Sequence, residues 1–295
     1  MAVDPQSSLL VGGQAVLEGV MMRSPRYTST AVRLPSGELR AFTERFDSLL
    51  VRLPWLRLPV LRGSVVLYEA LTLGIRALFL SANAAMGEET KLSPRQTALS
   101  VAAGLGMAVL LFFVLPTILV RLLDASFRSV YALNIAEGAI RVGILIGYIA
   151  VVGRLPDIGR VFAYHGAEHK AVNAYEAHQA LSTEAVRGQS RFHPRCGTSF
   201  LLIVMIVAIA VFSLLGRPPL LLRIASRVAL IPVVAGLSYE IIRAGARVRW
   251  FRPLITPGMW LQRLTTREPD DRQVDVAILA LREVLERERA IMSVP

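Results

Sequence analysis

The sequence predicts a mainly α-helical polytopic membrane protein, and three observations carry that reading. The 295 residues are 54% hydrophobic and only 19% charged, which is more apolar surface than a water-soluble domain needs to cover its core. From Gln96 to Val120 no charge interrupts the chain, with Arg95 and Arg121 at its borders. That run is long enough to cross a hydrocarbon core of about 30 Å at about 1.5 Å per helical residue. The arginines, finally, crowd into the segments beside the apolar runs.

Three further runs have the same reach. Cys196 to Gly216 is uncharged between Arg195 and Arg217, whereas Ser129 to Gly153 carries Glu137 and Arg141, and Pro218 to Ile242 carries Arg223 and Arg227. A charge in lipid is costly unless paired, so Glu137 is expected to pair with Arg223 or Arg227. Four spans also fit the charge distribution. The region before Arg95, the segment from Arg154 to Arg195 and the tail after Ile242 are rich in arginine, and the turns near Asp124 and Arg217 are not. The positive-inside rule then puts both termini and the central loop on the cytoplasmic side of a bacterial inner membrane. No signal peptide is expected, because Asp4 and Pro5 stand where its apolar core would begin. The net charge of +11 does not suggest nucleic acid, since the basic residues are not interleaved with aromatics in runs.

Around these spans the chain divides into four regions. Residues 1–57 are expected to form a small cytoplasmic β-containing unit. Thr28 to Leu34 and Leu39 to Phe46 read as a hairpin about Pro35, Ser36 and Gly37, and the glycine-punctuated stretch from Val11 to Val20 reads as a further strand or tight loop. Within residues 58–90, Arg62, Glu69 and Arg76 recur in one stripe of a helix. Such a helix is expected to be interfacial or re-entrant, with a fifth span as the competing reading. Residues 91–250 hold the four spans and the His-rich loop 154–196. Residues 251–295 form a tail with a C-terminal amphipathic helix, whose apolar positions Val274, Ala277, Ile278, Leu281, Val284 and Leu285 need the N-terminal unit or a second subunit to cover them.

All four histidines, His165, His169, His178 and His193, fall in the central loop, and Cys196 follows at its edge. Helical periodicity over Asp157 to Ala177 puts His165 and His169 on one face. With Glu168 they give the H-x-x-E-H order in which two imidazoles ligate a metal and the carboxylate serves as general base. Pro194 turns the following segment into a loop that brings His193 and Cys196 toward the same point. Four ligands, His165, His169, His193 and Cys196, would make a closed structural site; three would leave an open position, with Glu168 or Glu176 as base. Glu240, at the end of the fourth span, and Glu18, an acid in an apolar setting, are additional candidates. His178 lies off the shared face and is expected in solvent. With one cysteine no internal disulfide is possible.

Four segments resemble one family: Gly12-Gly-Gln-Ala-Val-Leu-Glu-Gly-Val-Met-Met-Arg23, Tyr164-His-Gly-Ala-Glu-His-Lys170, His193-Pro-Arg-Cys-Gly-Thr-Ser-Phe200 and Leu264-Thr-Thr-Arg-Glu-Pro-Asp-Asp271. In this order they are similar to the YqhQ-like family, a domain-of-unknown-function group of bacterial membrane proteins described as predicted metal-dependent enzymes. The resemblance implies a membrane location and a metal, and it supplies no substrate. The expectation is therefore a divalent metal, zinc by its donor set, in a hydrolase working at the bilayer surface. The competing expectation is a non-catalytic accessory protein, for example in membrane-protein insertion, that binds a membrane-protein partner or a second copy of itself.

Overall fold

The computed structural model describes residues 9–86, 93–122, 127, 129–216, 218–247 and 252–292. The chain opens with a four-stranded antiparallel meander, β1 (Gly12–Val16), β2 (Gly19–Arg23), β3 (Tyr27–Arg33) and β4 (Leu39–Arg45), in the order β1-β2-β3-β4. The expected hairpin is β3–β4, with Arg33 opposite Leu39 and Gly37 at φ +86° in its turn. The glycine-rich stretch upstream is a second hairpin, β1–β2. Alternation along the strands sends Val20, Met22 and Ala31 into one apolar cluster and Val16 and Met21 into another, as a period of two requires.

Among the described residues twelve α-helices follow from the same local rules. Short α1 (Leu49–Arg52) is capped by Ser48. The rest are α2 (Leu61–Met86), α3 (Pro94–Val109), α4 (Leu115–Arg121), α5 (Val130–Val152), α6 (Pro156–Glu176), α7 (Thr183–Arg187), α8 (Gly197–Ser213), α9 (Leu220–Ala229), α10 (Ile231–Arg247), α11 (Arg252–Thr265) and α12 (Asp271–Met292). A π turn over Leu110–Val114 joins α3 to α4, so Pro94–Arg121 runs as one long apolar rod.

Segments far apart in sequence share one core. Helix α12 lays Val274, Ala277, Ile278, Leu281, Val284 and Leu285 against Val20, Met22 and Ala31 of the sheet and Tyr164, Ala167 and Ala171 of α6. The N-terminal unit is thus what covers its apolar face. Each such side chain taken from water contributes roughly 1.5–3 kcal/mol. The helix starts with a reciprocal cap, in which Gln273 N–H donates to Asp270 Oδ1 (2.8 Å) and Asp270 N–H donates to Gln273 Oε1 (3.0 Å). Near its end buried Glu288 accepts from Ser24 Oγ (2.9 Å), Arg26 N–H (2.8 Å) and Arg26 Nε (2.8 Å). On the opposite sheet face Met21 meets Ala77 of α2.

Among the described residues three helices are long and apolar enough to cross a membrane: Leu61–Met86, Pro94–Arg121 and Val130–Val152. The two other runs read from the sequence differ from straight spans. Cys196 to Gly216 contains a helix of only 17 residues, about 25 Å long against a hydrocarbon core of about 30 Å. Pro218 to Ile242 is two helices, α9 and α10, bent by 47°. Pro232 at the start of α10 explains the break, since it has no N–H to continue the ladder across Leu230. Helix α2 shows no break or re-entry. Its glycines serve packing: a Cβ on Gly63 would lie 2.8 Å from the Gly236 Cα of α10. Two of its three stripe charges face protein, with Arg62 donating to Glu240 (2.6 Å from Nε) and Glu69 accepting from Ser48 Oγ (2.8 Å), Leu49 N–H (2.7 Å) and Arg23 (3.3 Å), while Arg76 is exposed.

Inside the bundle the pairing anticipated for Glu137 is with Arg227, whose Nε and Nη2 reach its two oxygens at 2.6 and 2.7 Å. Arg141 Nη2 (2.9 Å) and Thr117 Oγ1 (3.2 Å) donate to the same carboxylate, and Arg227 also donates to Asn134 Oδ1 (3.1 Å). This network ties α4, α5 and α9 together.

Removing Glu137 leaves two buried guanidiniums without their carboxylate. Glu137→Gln should therefore lower stability by about 3–5 kcal/mol, read as a drop in the thermal unfolding midpoint in detergent, while Glu38→Gln on the exposed hairpin turn should leave it unchanged. Burial alone would raise the Glu288 carboxyl, but the bonds from Arg26 and Ser24 hold it below its ordinary 4.5. Its contribution is complete above that value and is lost as pH falls through the lowered one. Glu288→Gln should cost about 1–3 kcal/mol at pH 7 and flatten the acid limb of a stability-versus-pH curve.

Candidate functional site

Helix α6 carries the site. It starts with Pro156, harmless in a first turn where no N–H is needed, and with Asp157 beside it. It ends in a left-handed cap: His178 has φ +53°, its N–H donates to Tyr175 O (3.0 Å), and Gln179 N–H donates to Ala174 O (2.9 Å). His178 is exposed there, as expected. One turn apart in the middle of the helix sit His165 and His169, rings 4.4 Å apart.

Each of these imidazoles is turned by a backbone carbonyl. His165 Nδ1 bonds Thr265 O (2.9 Å) and His169 Nδ1 bonds Arg191 O (2.7 Å). A carbonyl only accepts, so Nδ1 carries the proton on both rings and each Nε2 presents a lone pair. His165 Nε2 lies 3.2 Å from Cys196 Sγ. His169 Nε2 is buried and has no hydrogen-bond partner among the described residues, with Glu168 Oε2 3.5 Å away. Cys196 is the N-cap of α8, where Thr198 N–H donates to its sulfur (3.5 Å). Ligand atoms of His165, His169 and Cys196 all lie within 4.8 Å of one another, so the three could hold a metal ion.

Glu168 stands next to this group, 5% exposed. Burial pushes its carboxyl up to about 7, against the opposing pull of His165 and of the Gly13 backbone beside it. Gly13 has to be glycine for that approach, because a Cβ would lie 2.5 Å from Met21 O and 3.0 Å from Glu168 Cγ.

The remaining candidates are committed elsewhere. His193 is buried close by, its ring 5.8 Å from that of His169. Its Nδ1 accepts from Arg195 N–H (3.3 Å) and its Nε2 faces Glu176 (3.4 Å). Both ring nitrogens are in use, so the four-ligand arrangement is not formed. Burial, with His169 and Arg195 nearby, holds this imidazole below 6.5 despite Glu176. Glu176 is shared between His193 and Arg195. Glu240 is paired with Arg62 on α2. Glu18 lies at φ +50° in the β1–β2 turn, where it pairs with Arg160 (2.7 Å from Nε) and accepts from Tyr164 Oη (3.3 Å). Neither of these two acids joins the cluster.

Several residues that shape the site escaped the sequence reading. Gln262 of α11 is fully buried and clamps the following loop, with Oε1 accepting from His193 N–H (2.9 Å) and Nε2 donating to His193 O (2.8 Å). Thr265 and Arg191 act through their carbonyls, which no side-chain pattern reveals. Arg267 N–H donates to Phe162 O (2.8 Å) and its own carbonyl rests on Gly166, so the Thr265–Pro269 linker lies directly on α6.

Fold and site together define a mostly helical protein with several apolar helices, a small N-terminal antiparallel sheet and a His/Cys cluster on a helix packed against that sheet. The family described as "Protein of unknown function (DUF1385)" matches residues 58–287. The chain is 39% identical over 298 residues to "Uncharacterized protein YqhQ" of Bacillus subtilis (strain 168), covering 94% of this chain and 92% of that one. It belongs to this YqhQ-like family. No solved structure matches the chain.

If Gln262 positions the His193–Cys196 loop, Gln262→Ala should raise amide hydrogen exchange across residues 190–197 by about tenfold, the loss of roughly 1.4 kcal/mol of local bonding. Exchange in the sheet should stay as it is.

Proposed function

We propose that this chain is an integral protein of the bacterial inner membrane that holds a divalent metal, zinc by its donor set, on its cytoplasmic face and hydrolyses a substrate there. The observation that carries the proposal is the pair of Nδ1–H bonds to carbonyls. They turn two Nε2 lone pairs toward the thiol of Cys196 and leave one of them, His169 Nε2, buried without a partner among the described residues. A metal-binding histidine typically donates its other ring N–H in this way. Two imidazoles and a thiolate suit zinc.

When bound, such an ion supplies Lewis-acid polarisation of a substrate oxygen. The chain's own residues do the rest. Thr265 and Arg191 hold the two rings in one tautomer, the start of α8 holds the Cys196 sulfur beside them, and Glu168 offers a carboxyl oxygen beside His169 for taking or giving a proton. Arginine-rich segments flank the apolar helices and support placing this face in the cytoplasm. Four spans follow if α8 crosses in spite of its 17 residues, α9 and α10 act as one bent crossing and α2 lies along the interface.

A second reading rests on one contact. Gly13 packs so closely on Glu168 that a Cβ would lie 3.0 Å from its Cγ, which joins the sheet to α6 and would give the carboxylate a purely structural role, in a non-catalytic membrane partner protein or homo-oligomer. Elemental analysis of the detergent-purified protein tests the first claim: the wild type should carry stoichiometric metal and the His165→Ala, His169→Ala double variant none. Equal, near-zero content in both ends it. Glu168→Gln should then keep the metal and lower the cellular activity by about 10²–10⁴-fold; unchanged activity with retained metal favours the structural reading.

A further inference from the structure

A cleft of about 490 Å³ opens between the start of the sheet and α2, a size typical of ligand pockets. Leu10, Val11 and Met21 wall it on the sheet side and Val66, Ala70 and Leu73, one face of α2, on the other. Two lining residues lie beside the site: Gly13 packs on Glu168, where a Cβ would come within 3.0 Å of its Cγ, and Arg195 directly precedes Cys196. The charged side chains in the lining are Arg195 and Arg23, with Gln14 and Ser24 as further polar groups, and no carboxylate is among them. Glu69 and Glu176, which pair with these arginines, are not part of the lining, so the cleft meets a ligand with two ion-paired guanidiniums set in a mainly apolar wall.

The helix that forms that wall also faces outward with Tyr68, Leu71 and Leu78, exposed at 62%, 52% and 42%. It belongs to the long apolar helices of the chain. A ligand sliding along α2 would therefore arrive from the apolar side with its polar end toward Arg195. An extended peptide fits less well, because α6 packs along β1 and Glu168 sits against Gly13, so a new strand meets a covered edge.

We infer that this cleft admits a membrane lipid with an anionic headgroup, its charge against Arg195 and Arg23 and its apolar part along Val66, Ala70 and Leu73, and so presents the headgroup linkage to the cluster. The inference names the substrate class of the proposed hydrolase and rests on that reading for its chemistry; the binding itself does not.

Native mass spectrometry of the detergent-released full chain tests it by counting adducts of phosphatidylglycerol and of phosphatidylcholine. The wild type should prefer phosphatidylglycerol. Arg195→Gln should lower that binding about tenfold, as expected for loss of a charge-assisted bond, and Ala70→Trp, at an exposed position of α2, should fill the cleft and do the same. Equal binding of the two lipids, indifference to both substitutions, displacement by equimolar inorganic phosphate, or tighter binding of an extended acidic peptide would each overturn it. Metal content measured on the same samples separates the two claims. Phosphatidylglycerol selection that depends on the cleft in a metal-free wild type supports the cleft and sinks the hydrolase, whereas metal without lipid selection does the reverse.

Discussion

Helix α6 is held on two sides, and everything at the site depends on that. The sheet and α12 press on one flank through Val20, Met22, Ala277 and Leu281, and the Thr265–Pro269 linker lies on the other, with the Arg267 carbonyl resting on Gly166. A helix clamped so closely cannot rotate without breaking core contacts, because protein interiors pack at crystal density. The rings of His165 and His169 inherit that rigidity. Their tautomers then follow from what the clamp supplies, a carbonyl at each Nδ1.

The same economy of polar partners governs the helical bundle. Arg141 and Arg227 are almost fully buried and share one carboxylate, Glu137, with Asn134 and Thr117 filling further bonding positions. Buried charge of this kind is tolerable only when its bonds are satisfied, which fixes how α4, α5 and α9 must meet. Helices α2 and α10 are registered differently, by the Gly63 and Gly236 contact and the Arg62–Glu240 pair. The bundle is therefore pinned by a few polar contacts within apolar surface that would otherwise allow sliding.

The two walls of the cleft differ. The α2 side offers Val66, Ala70 and Leu73, whereas the sheet side mixes Leu10, Val11 and Met21 with Gln14, Arg23 and Ser24, and Arg195 adjoins Cys196 in the chain. An apolar wall facing a partly polar one is what an amphiphile would need from the site.

Local signals in the sequence were enough for the β3–β4 hairpin, the bounds of α6, the apolar face of α12 and the pairing of Glu137 with an arginine of the fourth run, because each follows from spacing along a strand or helix or from the penalty on an unpaired buried charge. They were enough also to bring His165, His169 and Cys196 to notice. They did not show that the fourth apolar run bends, since a single proline decided it, and they left Glu18, Glu176, Glu240 and His193 as candidates because an acid or imidazole does not announce its partner. Only the tertiary structure decided that α12 closes on the N-terminal sheet, that His193 spends both nitrogens on Arg195 and Glu176, and that carbonyls of Arg191 and Thr265 aim the other two rings. Those choices depend on contacts between residues tens to hundreds of positions apart, made partly by backbone atoms that every residue carries alike, so no reading of side chains in order could have supplied them.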